Sequence, residues 1–179
     1  LRHRFGQGAD LLASVFSDVG RLDEAHSLLA RDRATDFDEI PRDEAWLMLM
    51  LCCASTAAAL QDPDASRILY ERLLPYERRI AAVYATTFGA TARHLGRLAT
   101  VLEGYDDAEA HLDGALELHE RIRATYWIAC TQLDLRDLLV RRQGPDDGAG
   151  ARELTDRARQ IAQDRGYLGL LARASSIDG

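Results

Sequence analysis

The chain contains no lysine and no asparagine, and all 22 of its basic residues are arginine. Both missing residues use A-rich codons, so a GC-rich genome explains the absences more simply than selection on function. The lack of lysine still excludes one chemistry, because a Walker-type phosphate loop ends in lysine followed by serine or threonine. Cysteine is scarce: Cys52 and Cys53 are adjacent, Cys130 stands alone, and all three lie in apolar stretches. Zinc sites use spaced pairs, and disulfide frameworks use even counts in small secreted chains. The expectation is buried, reduced thiols in a cytoplasmic protein, with no metal and no cofactor.

Long apolar runs are also missing. None approaches the ~20 residues that cross a bilayer. The most hydrophobic stretch, Trp46 to Leu60, is interrupted by Ser55 and Thr56 and reads as a buried helix. No basic-then-apolar leader is visible. The chain starts at Leu1 rather than methionine, which suggests a piece of a longer protein. The formal net charge of −7 argues against binding a phosphate backbone, since that needs a positive face. Neither membrane nor direct nucleic-acid contact is expected. Arginines nevertheless cluster at Arg78-Arg79, at Arg93 with Arg97, and at Arg141-Arg142. They read either as solvated helix ends near the negative dipole terminus or as an anion site.

Catalytic constellations are absent too. Gly6-Gln7-Gly8 precedes a helix but follows no strand, unlike a dinucleotide fingerprint. Ser14 and Ser17 have no nucleophile turn and no histidine–carboxylate pair behind them. Among His3, His26, His94, His111 and His119 no pair has the spacing of a zinc-binding helix. Paired acids such as Asp134 with Asp137 read as solvated faces or helix caps. The chain is not expected to be an enzyme.

What is present is helical periodicity. The 179 residues are 47% hydrophobic and 28% charged, enough for one domain or a short repeat array. Tyr105, Ala108, Leu112, Ala115, His119 and Ile122 fall three and four apart, which gathers them on one face. Asp62-Pro63 supplies an N-cap and a first-turn proline. Gly20, Gly104 and Gly144 sit where short turns should join antiparallel helices. These signals predict helices near 8–19, 21–33, 42–60, 63–74, 87–102, 105–122, 124–142, 147–165 and 167–176. No alternating strand is evident, and Tyr76 to Thr86 could extend either neighbouring helix. Ser175 to Gly179 reads as a tail or linker.

A repeat organises these helices. LDEAHSLL, PDASRILY, YDDAEAHL and DGAGAREL align on Ala25, Ala65, Ala108 and Ala151, at spacings of 40, 43 and 43 residues. A small residue is needed where paired helices approach closely, and a bulky one then fills the next groove. The best copy, Ala92 to Glu120, holds Leu95-Gly96, Ala99, the turn Gly104-Tyr105, and Ala108, Leu112 and Ala115. It resembles the tetratricopeptide family, and Trp46 and Trp127 sit near that family's first-helix tryptophan. The repeat here is longer than the family's ~34 residues.

The resemblance implies an all-α fold of tetratricopeptide-like helical hairpins stacked into a right-handed superhelix. About four hairpins (8–33, 42–75, 87–122 and 124–165) and a capping helix at 167–176 would form one domain over 1–179. More narrowly, RILYERLLPYERR, GATARHLGRLATVLEGYDDAEAHLDGALELHERI and WIACTQLDLRDLL look like the C-terminal helical region of large bacterial ATPase regulators. Some of those carry a nucleotide-cyclase domain, others a LuxR-type DNA-binding helix-turn-helix. The resemblance implies a protein-interaction or sensing arm rather than a catalytic part. Its partner would be a protein, a peptide or a neighbouring domain of the parent chain, with a homodimer as the alternative.

In such arrays the first helix of each hairpin lines the concave side. The family's groove offsets fall on Asp10, Ser14 and Ser17; on Leu47, Leu51 and Ser55; on Arg93, Arg97 and Thr100; and on Ile128, Gln132 and Arg136. Arginines on one inner wall would suit a carboxylate or acidic peptide, unless they pair with neighbouring acids such as Asp134.

Overall fold

The computed structural model describes residues 2–83 and 86–176, with side chains over 9–82 and 87–176. The end of the expected tail, Ile177 to Gly179, and the His3 side chain lie outside the described residues. The described chain is mostly helical. In order come α1 (Arg2–Asp18), α2 (Leu22–Arg33), α3 (Trp46–Leu60), α4 (Pro63–Leu73), α5 (Thr91–Val101), α6 (Tyr105–Arg121), α7 (Thr125–Arg142), α8 (Asp147–Arg165) and α9 (Leu168–Ser175). None is long and apolar enough to cross a membrane.

Local chemistry starts and stops these helices largely as read. The Asp62 side chain accepts the Ala65 N–H at 3.0 Å, with Pro63 in the first turn of α4. Left-handed residues end several helices, but they are mostly not glycine. Gln61, Glu103, Arg123 and Gln143 take φ of 55°, 61°, 56° and 54°. Gly104 itself has φ −82° and serves as the N-cap of α6. The expected face of α6 is present in its central part: Ala108, Leu112, Ala115 and His119 are all buried, whereas Ile122 lies past the helix end and is exposed.

Two expectations are corrected. Between α4 and α5 the chain forms an antiparallel hairpin, β1 (Ile80–Val83) against β2 (Thr86–Ala90), rather than an extension of either helix. The reason is local composition, since isoleucine, valine, threonine and phenylalanine favour the pleated conformation. Helix α5 therefore begins at Thr91, not at 87, with its Thr91 N–H held by the Arg79 carbonyl at 2.9 Å. Helix α3 begins at Trp46, not at 42. Residues 34–45 are mostly turns, with Asp36 and Phe37 at positive φ and Phe37 buried.

Packing follows a simple order. Helices α1, α3, α5 and α7 each pair with the helix after them, and α1, α3, α5, α7 and α9 also contact one another in succession. Helix α3 is apolar all round, and it is buried between α1, α2, α4 and α5. The core passes along the array as successive clusters. One centres on Leu49, Met50, Leu69 and Leu95, the next on Leu112, Leu135 and Leu138, the last on Leu133, Ala158 and Leu170. Helix α9 closes the last hairpin with Leu170 and Ala174 buried.

The small residues of the repeat do what their spacing implied. Ala25, Ala65, Ala108 and Ala151 are all buried. At Gly96 a methyl group would stand 2.5 Å from Leu112 Cγ and 3.0 Å from the Ala108 carbonyl oxygen, so α5 and α6 meet there with no room for a side chain. Replacing Gly96 with alanine should cost ~1–3 kcal/mol by overpacking. Gly114, in α6, has nothing within 4 Å of the same position, and Gly114→Ala should stabilise by ~0.5–1 kcal/mol. Urea unfolding of the two variants checks both signs; equal shifts would refute the close approach.

Candidate functional site

The odd helices bring together a charged cluster that centres on Asp134 of α7. Its carboxylate is almost wholly buried and faces three guanidinium groups. Arg93 Nε of α5 lies 2.5 Å from Oδ2, a charge contact without the alignment of a hydrogen bond. Arg97 Nε lies 3.6 Å from Oδ1, and Arg173 of α9 donates Nη2 to the same oxygen at 2.7 Å. Arg173 Nη2 also reaches Asp137 Oδ2 at 2.6 Å. Arg136 donates Nε and Nη2 to Asp137 Oδ1 at 2.8 and 2.6 Å, and Nη1 to the Arg173 carbonyl at 3.2 Å.

Electrostatics within the cluster are uneven. Burial alone would raise the Asp134 carboxyl, but Arg93, Arg173 and Arg97 outweigh it and hold the group well below the usual carboxylate range. Burial likewise works against the Arg173 charge, and Asp134 with Asp137 reverses this and strengthens it. Arg97 goes the other way. Burial lowers its pKa, Arg93 and Arg173 repel it, and Asp134 and Asp18 do not fully compensate. Asp18, at the end of α1, feels all three arginines, although burial keeps its carboxyl above the ordinary value. Four guanidinium groups thus meet two carboxylates in direct contact, and Arg97 is the cation left short of a partner.

A neutral hydrogen-bonded chain supports Arg97. Its Nη1 donates to Ser55 Oγ at 3.2 Å, and Ser55 Oγ lies 3.2 Å from His94 Nδ1. His94 Nε2 sits 3.0 Å from the Phe88 carbonyl, which can only accept, so Nε2 carries the proton and Nδ1 accepts from Ser55. Burial, with Arg93 next, pushes His94 down to about 3, so it stays neutral. The chain runs from α5 through α3 to β2, and it holds Arg97 without neutralising it. Arg93 also stacks over Trp127 at 5.3 Å, and the ring of Trp127 packs on Gly89, whose φ of 78° and missing side chain permit the approach.

The residues singled out from sequence therefore separate. Arg93, Arg97 and Arg136 come together, joined by Ser55. Their pairing with Asp134 and Asp137 is the arrangement weighed as the alternative to a free anion wall. Thr100 is buried and donates to the Gly96 carbonyl at 2.8 Å, which occupies its hydroxyl. Gln132 is buried, and its Oε1 has no hydrogen-bond partner among the described residues. Leu51 is fully buried and belongs to the core rather than to a groove, and Leu47 packs against the same core cluster. The cause is the all-round apolar character of α3, which leaves little of it free for ligand. Asp10 is buried too, and its carboxylate meets Arg31 of α2 rather than the arginine cluster.

Sequence reasoning did not find Arg173, Asp18 or His94 as members of this site. Arg173 lies in a short terminal helix whose periodicity said only that it packs. Asp134 and Asp137 were visible as a pair of acids, without the arginines that surround them. Chemically the arrangement suits recognition of a carboxylate or other oxyanion, since guanidinium groups offer paired donors in a fixed plane.

Replacing Asp134 with asparagine should remove the counter-charge of a buried arginine and destabilise the chain by ~3–5 kcal/mol. Glu153→Ala, which breaks an exposed ion pair with Arg157, should change nothing measurable. Urea unfolding of the two variants gives the comparison, and a small Asp134 effect would mean the cluster does not hold the odd helices together.

Compared with family models, with curated proteins and with solved structures, the chain has no match in any of the three.

Proposed function

We propose that this chain is a non-catalytic protein-interaction or sensing module, a tetratricopeptide-like array whose odd-helix face takes an acidic peptide segment. The observation that carries the reading is Arg97, a cation on the odd-helix layer whose side chain keeps 21% exposure and which is short of counter-charge. A peptide carboxylate arriving beside Arg97 and Arg173 would complete the charge balance that Asp134 and Asp137 leave open. The right-handed superhelical stacking is part of this proposal, supported by the succession of odd-helix contacts and the close approach at Gly96. So is the origin in a multidomain bacterial regulator with a LuxR-type or cyclase output, which rests on the sequence resemblance alone.

The test uses peptides rich in aspartate and glutamate, with their amide counterparts as controls, read by fluorescence anisotropy. The acidic set should bind, and Arg97→Gln should weaken binding about tenfold or more, the worth of a charged hydrogen bond. Thermal unfolding should change little, because Asp134 keeps Arg93 and Arg173. Equal binding of acidic and amide peptides would sink the reading.

A second reading, self-association, has its own support. Leu11, Val15, Val19 and Leu22 fall four, four and three apart and expose their side chains along α1 into the start of α2, with Leu12 beside them. Apolar stripes of this kind mark association surfaces. Light scattering over a concentration series should show the mass rising toward a dimer, with Val15→Glu/Val19→Glu held at the monomer. A constant monomer mass in the parent chain removes this reading.

A further inference from the structure

Away from the arginine cluster, three helices bring another set of groups to one buried point. Asp10 of α1, Asp32 of α2 and Cys53 of α3 each offer one donor atom, and these atoms all lie within 4.8 Å of one another. All three residues are at least nine-tenths buried, at 5%, 8% and 2% exposure. The Cys53 sulfur has no hydrogen-bond partner among the described residues. Of the two adjacent buried thiols it is the one that lies beside the two carboxylates.

Two buried carboxylates share a single guanidinium, that of Arg31, whose Nη2 lies 3.5 Å from Asp10 Oδ1 and 3.1 Å from Asp32 Oδ1. Arg31 is half-exposed and approaches from the solvent side. Buried like charges at this range are costly unless a proton or a cation stands between them. With the thiol ionised, three negative charges face one from Arg31, and a dication brings the sum to zero.

We propose that Asp10, Asp32 and Cys53 form a binding site for a thiophilic divalent cation of the zinc type. Bonds of about 2.0–2.2 Å to carboxylate oxygen and about 2.3 Å to thiolate put tetrahedral donors ~3.5 Å apart. Closing the trio around an ion therefore needs side-chain movements of about an ångström. Sulfur selects against magnesium and calcium, which bind oxygen. The thiol proton and the proton shared by the two carboxyls leave to solvent as the metal binds, and Arg31 stays as the outer partner that orients the carboxylates. Because the donors come from α1, α2 and α3, the ion would pin the first hairpin to the second.

The experiment uses the full chain, reduced and stripped of metal with a chelator. Cobalt is added as a spectroscopic substitute for zinc, and stoichiometry is read by equilibrium dialysis. The expected result is one cobalt per chain with a thiolate-to-cobalt charge-transfer band. Zinc should raise the melting temperature by about 5–10 °C at a concentration ~100-fold above Kd. Cys53→Ser should abolish the band, and Cys130→Ser should keep it. Asp10→Asn should weaken binding at least tenfold, and circular dichroism establishes that the variant is folded. No charge-transfer band in the parent chain, or a band that survives Cys53→Ser, overturns the proposal.

Discussion

The Asp134 carboxylate, buried in α7, joins guanidinium groups from α5 and α9 and so ties three of the odd-numbered helices together. A carboxylate taken out of water is costly unless oppositely charged groups surround it. Here three do, and their combined attraction outweighs the burial penalty. The consequence runs outward. Arg173 can lie half-buried in a short terminal helix because Asp134 and Asp137 hold it. Arg93 can lie over Trp127 because its charge is met. Arg97 is left partly exposed, positioned by Ser55 and the neutral His94.

This charged seam lies beside an apolar one. The hairpins are closed by small residues at equivalent places, and the clearest is Gly96, where α6 leaves no space for a side chain. The clusters formed on either side are joined through shared helices rather than gathered in one centre. Helices at either end of this succession have neighbours on one side only, and so the most apolar surface left to cover. The exposed stripe on α1 and the short α9 lie at those two ends. The hairpin Ile80–Ala90 interrupts the succession between α4 and α5, and it earns its place through the Phe88 carbonyl, which fixes the His94 tautomer, and through Gly89, which admits the Trp127 ring.

Much of the fold was legible because its signals are local. The Asp62-Pro63 cap, the three-and-four spacing along α6 and the recurring alanines act within a few residues of themselves. The hairpin strands were missed because their run is short and lacks clean alternation. The start of α3 was misplaced because residues 42–45 carry no glycine or proline to mark a turn, and it is the Asp43 carboxylate, accepting the Ala45 N–H, that makes one. The candidate site was legible in part. Arg93, Arg97 and Arg136 could be placed on the inner helices by offset, whereas Leu51 could not be told from core by the same rule.

By itself, then, the sequence determined that most of the chain is helical, where several of the helices are capped, and which small residues let neighbours approach. It also excluded a lysine-dependent phosphate loop. Only the tertiary structure decided which charges meet. Arg173 reaches Asp134, and Cys53 reaches Asp10 and Asp32, through the stacking of separate hairpins. The physical reason is one of range. Backbone hydrogen bonds and helical periodicity act between near neighbours in the chain, while a buried charge takes whichever counter-charge the packing of distant helices brings within a few ångströms.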